Sequence, residues 1–315
     1  MSFTEATVEA ATLDWFAELG YERRYGPDIE PGEPYAERAA FGDVVLLERL
    51  RSGVARINPT IPADTLEEAV RKAGRTESSS LVENNRRFHR MLVDGIPVEY
   101  QAPDGRAVHD AVHLIDFEDP GTNDWLVVNQ FTVVENHHNR RADVVLFVNG
   151  LPLGVIELKN LGDENATVKG AWQQLQTYKY DIPGLFVFNE VLVVSDVQEA
   201  RAGTLTASWE RFMPWKTVED DAIALATMTD LEVLIKGVFQ KARFLDLIRH
   251  FVVFEAEGAK KMAGYHQFHA VNKAVNCTVR AASEAGDRRV GVIWHTQGSG
   301  KSLSMAFYAD RKSVV

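Results

Sequence analysis

The chain has 315 residues, 45% apolar and 25% charged, an ordinary globular composition with room for two hydrophobic cores. No stretch approaches the ~18 uninterrupted apolar residues of a membrane span, and the start, Met1-Ser-Phe-Thr-Glu, lacks the basic and apolar segments of a secretory signal. A single cysteine, Cys277, excludes an internal disulfide and a multi-thiolate zinc site and fits a reducing cytoplasm, while a net charge of −11 argues against nucleic-acid binding by global attraction.

Thr4 to Leu19 reads as a helix, with Val8, Ala11, Trp15, Phe16 and Leu19 at helical spacing and Gly20 as its stop. Phe41–Leu50 suggests a second helix, and Thr65-Leu-Glu-Glu68 suggests a capping box opening a third. Phe88–Val93 and Ile96–Gln101 flank a turn at Asp94-Gly95. From Val112 to Val194 the texture becomes strand-like, in Val112–Phe117, Trp125–Val134, Val144–Val148, Leu153–Leu158 and Val191–Val194. Ala166–Tyr180 interrupts it with helical spacing of Val168, Ala171, Trp172, Leu175 and Tyr178. An α/β fold follows, with a mixed sheet and flanking helices.

Thr204–Val218 reads as an added hairpin and connector. Thr229-Asp-Leu-Glu232 is a capping box before an apolar face of Leu231, Leu234, Ile235, Val238 and Phe239. Gly258–Gly264 looks like a joint, followed by a helix near Gln267–Ala282 and a short buried strand at Val290–Trp294. These signals divide the chain at 1–205, 206–258 and 259–315.

Chemistry concentrates between Arg141 and Asn160. Two apolar runs, Val144–Val148 and Leu153–Leu158, flank a turn holding Asn149-Gly150; Asp143 opens the first, and Glu157 and Lys159 close the second. Two carboxylates and an ammonium at one end of a buried hairpin are costly unless used. The set suits a magnesium-dependent phosphodiester cutter. Glu157 and Lys159 share a strand face. Asp143 joins them only if an odd loop of three or five residues, or a bulge, shifts the register. Of the local basic groups, Arg140-Arg141 beside Asp143 is the one expected to meet DNA, with partner subunits supplying much of the remaining grip.

A second phosphate signature follows Val290–Trp294. His295-Thr-Gln-Gly-Ser-Gly-Lys-Ser302 runs into an apolar, helix-compatible Leu303–Tyr308, the strand–loop–helix context of a P-loop. Gly298, Ser299 and Gly300 would turn backbone N–H groups toward phosphate, Lys301 would reach the β- and γ-phosphates of ATP, and Ser302 would hold magnesium. His295 stands where the pattern usually begins with glycine. An ATPase also needs a downstream acidic strand end and a second lobe, which the thirteen residues after Ser302 do not hold. The chain therefore reads as a piece of a larger motor protein, with no ATP hydrolysis expected of it alone.

Asp143…Glu157-Leu-Lys159, Gln173-Gln-Leu-Gln-Thr-Tyr178, Gly264-Tyr-His-Gln267 and Ile293-Trp-His-Thr-Gln-Gly-Ser-Gly-Lys-Ser302 together resemble the restriction (motor and nuclease) subunit of type I restriction enzymes, over essentially the whole chain. The resemblance implies a PD-(D/E)xK-type nuclease domain followed by the start of a RecA-like superfamily 2 helicase domain. It implies Mg²⁺ on Asp143 and Glu157, a water-assisting Lys159, and Gln174 and Tyr178 as a Q-x-x-x-Y element near the DNA backbone. Gln176…Tyr180 has the same spacing. The adenine-reading glutamine falls on Gln267, with Tyr265 beside the base. Double-stranded DNA and the methyltransferase and specificity subunits are the implied partners, with no membrane. An alternative is a catalytically incompetent remnant that only docks on its methyltransferase partners; the P-loop disfavours a stand-alone repair nuclease. His137-His138 beside Glu135 invites a metal reading, but neighbouring strand residues point opposite ways, so a surface or DNA-proximal place is expected there.

Overall fold

The computed structural model describes residues 5–159, 167–196, 198–219 and 221–312. In chain order it runs α1 (Glu5–Glu18), β1 (Glu22–Tyr25), α2 (Leu47–Ile57), α3 (Ala63–Gly74), α4 (Leu81–Asp94), β2 (Ile96–Gln101), β3 (Ala107–Val112), β4 (Trp125–Glu135), β5 (His138–Val148) and β6 (Leu151–Leu158). It continues with α5 (Val168–Asp181), α6 (Pro183–Val187), β7 (Val191–Ser195), β8 (Ala200–Gly203), α7 (Asp230–Val238), α8 (Lys241–His250), β9 (Val252–Phe254), β10 (Lys260–Met262), α9 (Tyr265–Ala282) and α10 (Lys301–Lys312). Among the described residues one six-stranded mixed sheet dominates, in the order β1-β4-β5-β6-β7-β8. β1/β4 and β6/β7 pair in parallel and the others antiparallel. The expected mixed sheet with flanking helices is therefore present.

β5 and β6 form the centre of that sheet, and every residue from Ala142 to Leu158 is buried. The turn between them has two residues, Asn149 at φ 49° and Gly150 at φ 77°, as a hairpin matching the strands' own twist requires. Asn149 is fully buried and cross-links the layers: its Nδ2 donates to the Leu114 carbonyl and Asn123 Oδ1, each at 2.9 Å, and its Oδ1 accepts from the Asp124 N–H at 2.7 Å. Gly150 lies so close to α2 that a Cβ there would come within 2.3 Å of the Leu46 carbonyl oxygen.

Several local expectations fail for identifiable reasons. Helix begins at Leu47, not Phe41, and α3 starts directly behind Pro62, leaving Thr65 inside the helix and not at its cap. Phe88–Val93 belongs to α4, where Phe88, Met91 and Leu92 bury at helical spacing; the Ser80 side chain caps that helix and Gly95, at φ 79°, follows it. The strand expected at Val112–Phe117 instead occupies β3 and ends at Val112. Thr204–Val218 is largely irregular, with isolated bridges from Met213 to Ala202 and from Thr217 to Ile223. Val290–Trp294 is neither strand nor buried: Val292 and Trp294 are each 90% exposed, and no described strand pairs with the segment. A strand needs a partner for its backbone groups.

The division expected at residue 258 falls within the β9–β10 hairpin, whose strands pair Val252–Phe254 with Lys260–Met262. Lys260 is fully buried, its Nζ 2.7 Å from Glu190 Oε2 and within hydrogen-bond reach of Asn85 and the Asn189 carbonyl. This hairpin is thereby tied to the start of β7. No described helix is long and apolar enough to cross a membrane.

Replacing Gly150 by alanine should destabilise the chain by more than ~1 kcal/mol, because the substitution meets both an unfavourable φ and a backbone carbonyl. Urea unfolding measures this; an unchanged midpoint would contradict the assigned turn.

Candidate active site

A two-residue turn with regular pairing would set Asp143 opposite Ile156, on the wrong face. The structure avoids that with a bulge. Val148 pairs with Leu151 and Phe147 with Pro152, but Leu146 pairs with Gly154, so Leu153 is an extra residue on β6. Past the bulge Val144 pairs with Ile156, and one further step brings Asp143 opposite Glu157. The convergence of Asp143, Glu157 and Lys159 is met by this bulge, not by an odd loop.

The carboxylates lie in a buried, polar pocket. Glu157 is fully buried and Asp143 is 7% exposed. The Leu158 N–H donates to Asp143 Oδ2 at 2.7 Å, holding that carboxylate against β6. Lys159 Nζ is 3.3 Å from Glu157 Oε1 and also donates to Gln174 Oε1. Gln174 Nε2 donates to the Tyr178 hydroxyl at 2.7 Å, and that hydroxyl donates to the Arg141 carbonyl at 3.1 Å. Gln174 and Tyr178 are one turn apart on α5, so a single helix face carries both. Thr167 caps α5, accepting from the Gly170 N–H at 3.0 Å, and the helix lies across β5, β6 and β7. Tyr180, in the other register of the Gln/Tyr spacing, is 82% exposed.

Burial, and next the Asp143 charge, raise the Glu157 pKa well above the usual carboxylate range; Lys159 opposes them. Burial and then the Glu157 charge raise the Tyr178 hydroxyl, which stays protonated as a donor. Glu157 Oε2 is buried without a hydrogen-bond partner among the described residues. A cation would relieve both the orphaned oxygen and the two neighbouring negative charges. Hard carboxylate oxygens suit Mg²⁺, and two protein ligands leave room for the waters it retains. The residues fit the ion. No cluster of three or more His, Cys, Asp or Glu side chains suited to a metal occurs among the described residues, at His137-His138 or elsewhere.

Arg140 is engaged within the fold. Its Nη2 pairs with the buried Asp181 at 2.5 Å, so it braces β5 against the end of α5; Arg141 is exposed. Two contributors escaped the sequence reading. The Arg141 main-chain carbonyl takes the Tyr178 hydroxyl, and no side-chain pattern could reveal a carbonyl. Gln130 lies on β4 across from Asp143, between the Asn129–Val144 and Phe131–Ala142 pairs; counting from the Asn136-His137 turn would have found it.

The glycine-rich loop leads directly into a helix. Gly298 and Gly300 have φ of 83° and 77°, and α10 begins at Lys301. Lys301 Nζ donates to the Thr296 carbonyl at 3.0 Å, folded over its own loop. Ser302 lies in the first turn of α10, and Ser299 Oγ is buried without a hydrogen-bond partner among the described residues. A cleft of about 800 Å³ opens beside the loop between α9, residues 290–295 and α10, with Tyr265 and Lys301 in its lining. Gln267 points elsewhere: its Oε1 accepts from the Gly264 N–H at 3.0 Å and its Nε2 donates to the Gly300 carbonyl at 3.1 Å. It braces the loop against α9.

Residues 2–211 match the family described as the N terminus of the type I restriction enzyme R protein, and residues 266–313 match the SWI2/SNF2 ATPase family. The chain is 42% identical over 314 residues to the type I restriction enzyme HindI endonuclease subunit of Haemophilus influenzae, covering 98% of this chain and 30% of that protein. It is 32% identical over 326 residues to the putative type I restriction enzyme MjaIXP endonuclease subunit of Methanocaldococcus jannaschii, covering 96% and 31%. The chain thus spans about a third of the length of these relatives.

The raised Glu157 pKa has a definite sign in stability. The fold favours the protonated carboxyl, a contribution complete below the ordinary carboxylate range and lost as pH rises through the folded-state value. Glu157→Gln keeps the group neutral. In chelator, the variant should match the parent near pH 4 and exceed its stability near pH 8 by upward of ~1 kcal/mol. Chemical denaturation at both pH values checks this; an equal gap at the two would contradict the assignment.

Proposed function

The chain belongs to the type I restriction enzyme R protein family, and from that premise we propose that its sheet carries a Mg²⁺-dependent DNA-cleaving site. Its glycine-rich loop, on the same reading, binds the ATP that drives translocation in the full-length protein. One observation carries the proposal: a bulge at Leu153 sets two buried carboxylates opposite each other, with Glu157 Oε2 unpartnered and an ammonium 3.3 Å from its other oxygen.

Asp143 and Glu157 would hold the ion. When bound, Mg²⁺ supplies positive charge that neutralises the scissile phosphate and lowers the pKa of its water. Lys159 orients that water or offsets charge growing in the transition state. Gln174 and Tyr178 form a relay of donors from Lys159 to the Arg141 carbonyl, so the ammonium is held by α5 and does not collapse fully onto Glu157. Preorganisation of this kind favours an ionic transition state because the groups need not rearrange during reaction. The fold supports a PD-(D/E)xK-type reading in its arrangement of hairpin, mixed sheet and crossing helix.

At the second site, Gly298, Ser299 and Gly300 would offer N–H groups to phosphate, with Lys301 released from the Thr296 carbonyl and Ser302 at the metal. Gln267 contributes by bracing the loop. The DNA duplex and the methyltransferase and specificity subunits are the proposed partners, following the resemblance. Exposed apolar side chains at Val292 and Trp294 fit a segment that needs further strands to pair with.

In the full-length protein assembled with its partners, Glu157→Ala should abolish Mg²⁺-dependent cleavage and leave ATP use and translocation intact. Lys301→Ala should remove ATP use and the translocation it drives. Persistent cutting by Glu157→Ala would overturn the site, and an assembly that docks but never cuts would support a docking remnant instead.

A further inference from the structure

Gln130 breaks the strand in which it sits. It lies on β4 across from Asp143, yet its φ is 56°, in the left-handed region, the only such residue inside a described strand. Consecutive strand side chains normally point to opposite faces. Here Asn129 Nδ2 donates to Glu9 Oε1 at 2.6 Å and Gln130 Nε2 donates to the other oxygen of the same Glu9 carboxylate. Two neighbours can reach one carboxylate only because the alternation fails between them. The Gln130 side chain is therefore turned to Glu9 on α1.

A second, independent contact holds the same distortion. The parallel β1–β4 ladder ends at the Tyr25–Asn129 pair, and the next residue, Gly26, packs against the main chain of the kink. A Cβ on Gly26 would lie 2.3 Å from the Gln130 carbonyl oxygen and 2.8 Å from that of Asn129. A left-handed non-glycine residue costs of order 1 kcal/mol and persists only where its surroundings over-determine it. Two anchors on two different elements do so here.

We propose that Gln130 is a positioning residue: its left-handed backbone, held by Glu9 and by close packing of Gly26, keeps a side chain from standing across the strand from Asp143. The inference rests on the reading of Asp143 and Glu157 as a divalent-ion site. A regular strand would set residue 130 directly opposite Asp143, where the two Cβ atoms come within about 5 Å. The kink removes that neighbour from the β4 side of Asp143, while Lys159, Gln174 and Tyr178 line the α5 side of the carboxylate pair.

Two substitutions separate the backbone's role from the amide's. Gln130→Gly loses the bond to Glu9 but adopts φ 56° freely, so it should bind Mn²⁺ within about threefold of the parent. Gln130→Val disfavours positive φ and restores a strand-like side chain, so it should weaken Mn²⁺ binding at least tenfold. Calorimetric titration of the chain with Mn²⁺ alone reads the affinity, with Asp143→Asn as the control that abolishes binding. Hydrogen exchange at the Leu158 amide, which donates to Asp143, is followed in the same three proteins without metal. In Gln130→Val that amide should exchange faster than in Gln130→Gly relative to each protein's global unfolding rate. Equal Mn²⁺ affinity in Gln130→Val and the parent would overturn the proposal, as would a loss of affinity in Gln130→Gly matching that in Gln130→Val. If the parent itself bound no Mn²⁺, the divalent-ion reading would fail, and Leu158 exchange alone would decide whether Gln130 positions Asp143.

Discussion

The extra residue at Leu153 decides where every charged group in the sheet's centre points. Strand side chains alternate with a period of two, so one inserted residue moves all that follow to the other face. The tight Asn149-Gly150 turn alone would have put Asp143 and Glu157 on opposite sides of the sheet. With the bulge they face each other, 0% and 7% exposed at Glu157 and Asp143. The bulge is held from behind, where the Glu190 N–H donates to the Leu153 carbonyl at 2.7 Å. Glu190 is itself gripped by Lys260 and His89. A buried ion pair adds little net stability over apolar packing; here it ties β10, α4 and the start of β7 to the strand whose register matters.

The electrostatics follow from that register. Burial, and next the charge of the neighbouring Asp143, raise the Glu157 pKa. One lysine offsets part of this. The remaining imbalance is what makes the pocket suited to a divalent cation, and the α5 face of Gln174 and Tyr178 shapes where the lysine can go. On the other side the same logic operates through backbone geometry, with Gln130 turned away by its conformation.

Much of this was legible in the residues. The α/β class, the hairpin, the Gln174/Tyr178 helix, the capped helix at Thr229 and the glycine-rich loop are all local patterns, carried by periodicity, turn chemistry and caps. Convergence of Asp143 with Glu157 could be posed as a question of parity but not answered, because a bulge leaves no signature in Leu153-Gly154. Elements whose character depends on distant partners were misread. Val290–Trp294 has a strand's composition and no described strand beside it; Phe88–Val93 reads only as a short segment before the Asp94-Gly95 turn until the helix that contains it is seen from Ser80 onward. The pairing of Arg140 with Asp181, 41 residues away in sequence, could not be read locally. The bond from Gln267 to the Gly300 carbonyl, spanning 33 residues, could not be read locally.

The central claim is that the Leu153 bulge makes Asp143 and Glu157 joint ligands of one divalent ion. Anomalous diffraction from crystals soaked in Mn²⁺ addresses it most directly. The account predicts a single strong peak between the two carboxylates, with oxygens of both at about 2.1 Å. A peak touching only one of them, or none at this place while the metal occupies another site, would contradict it.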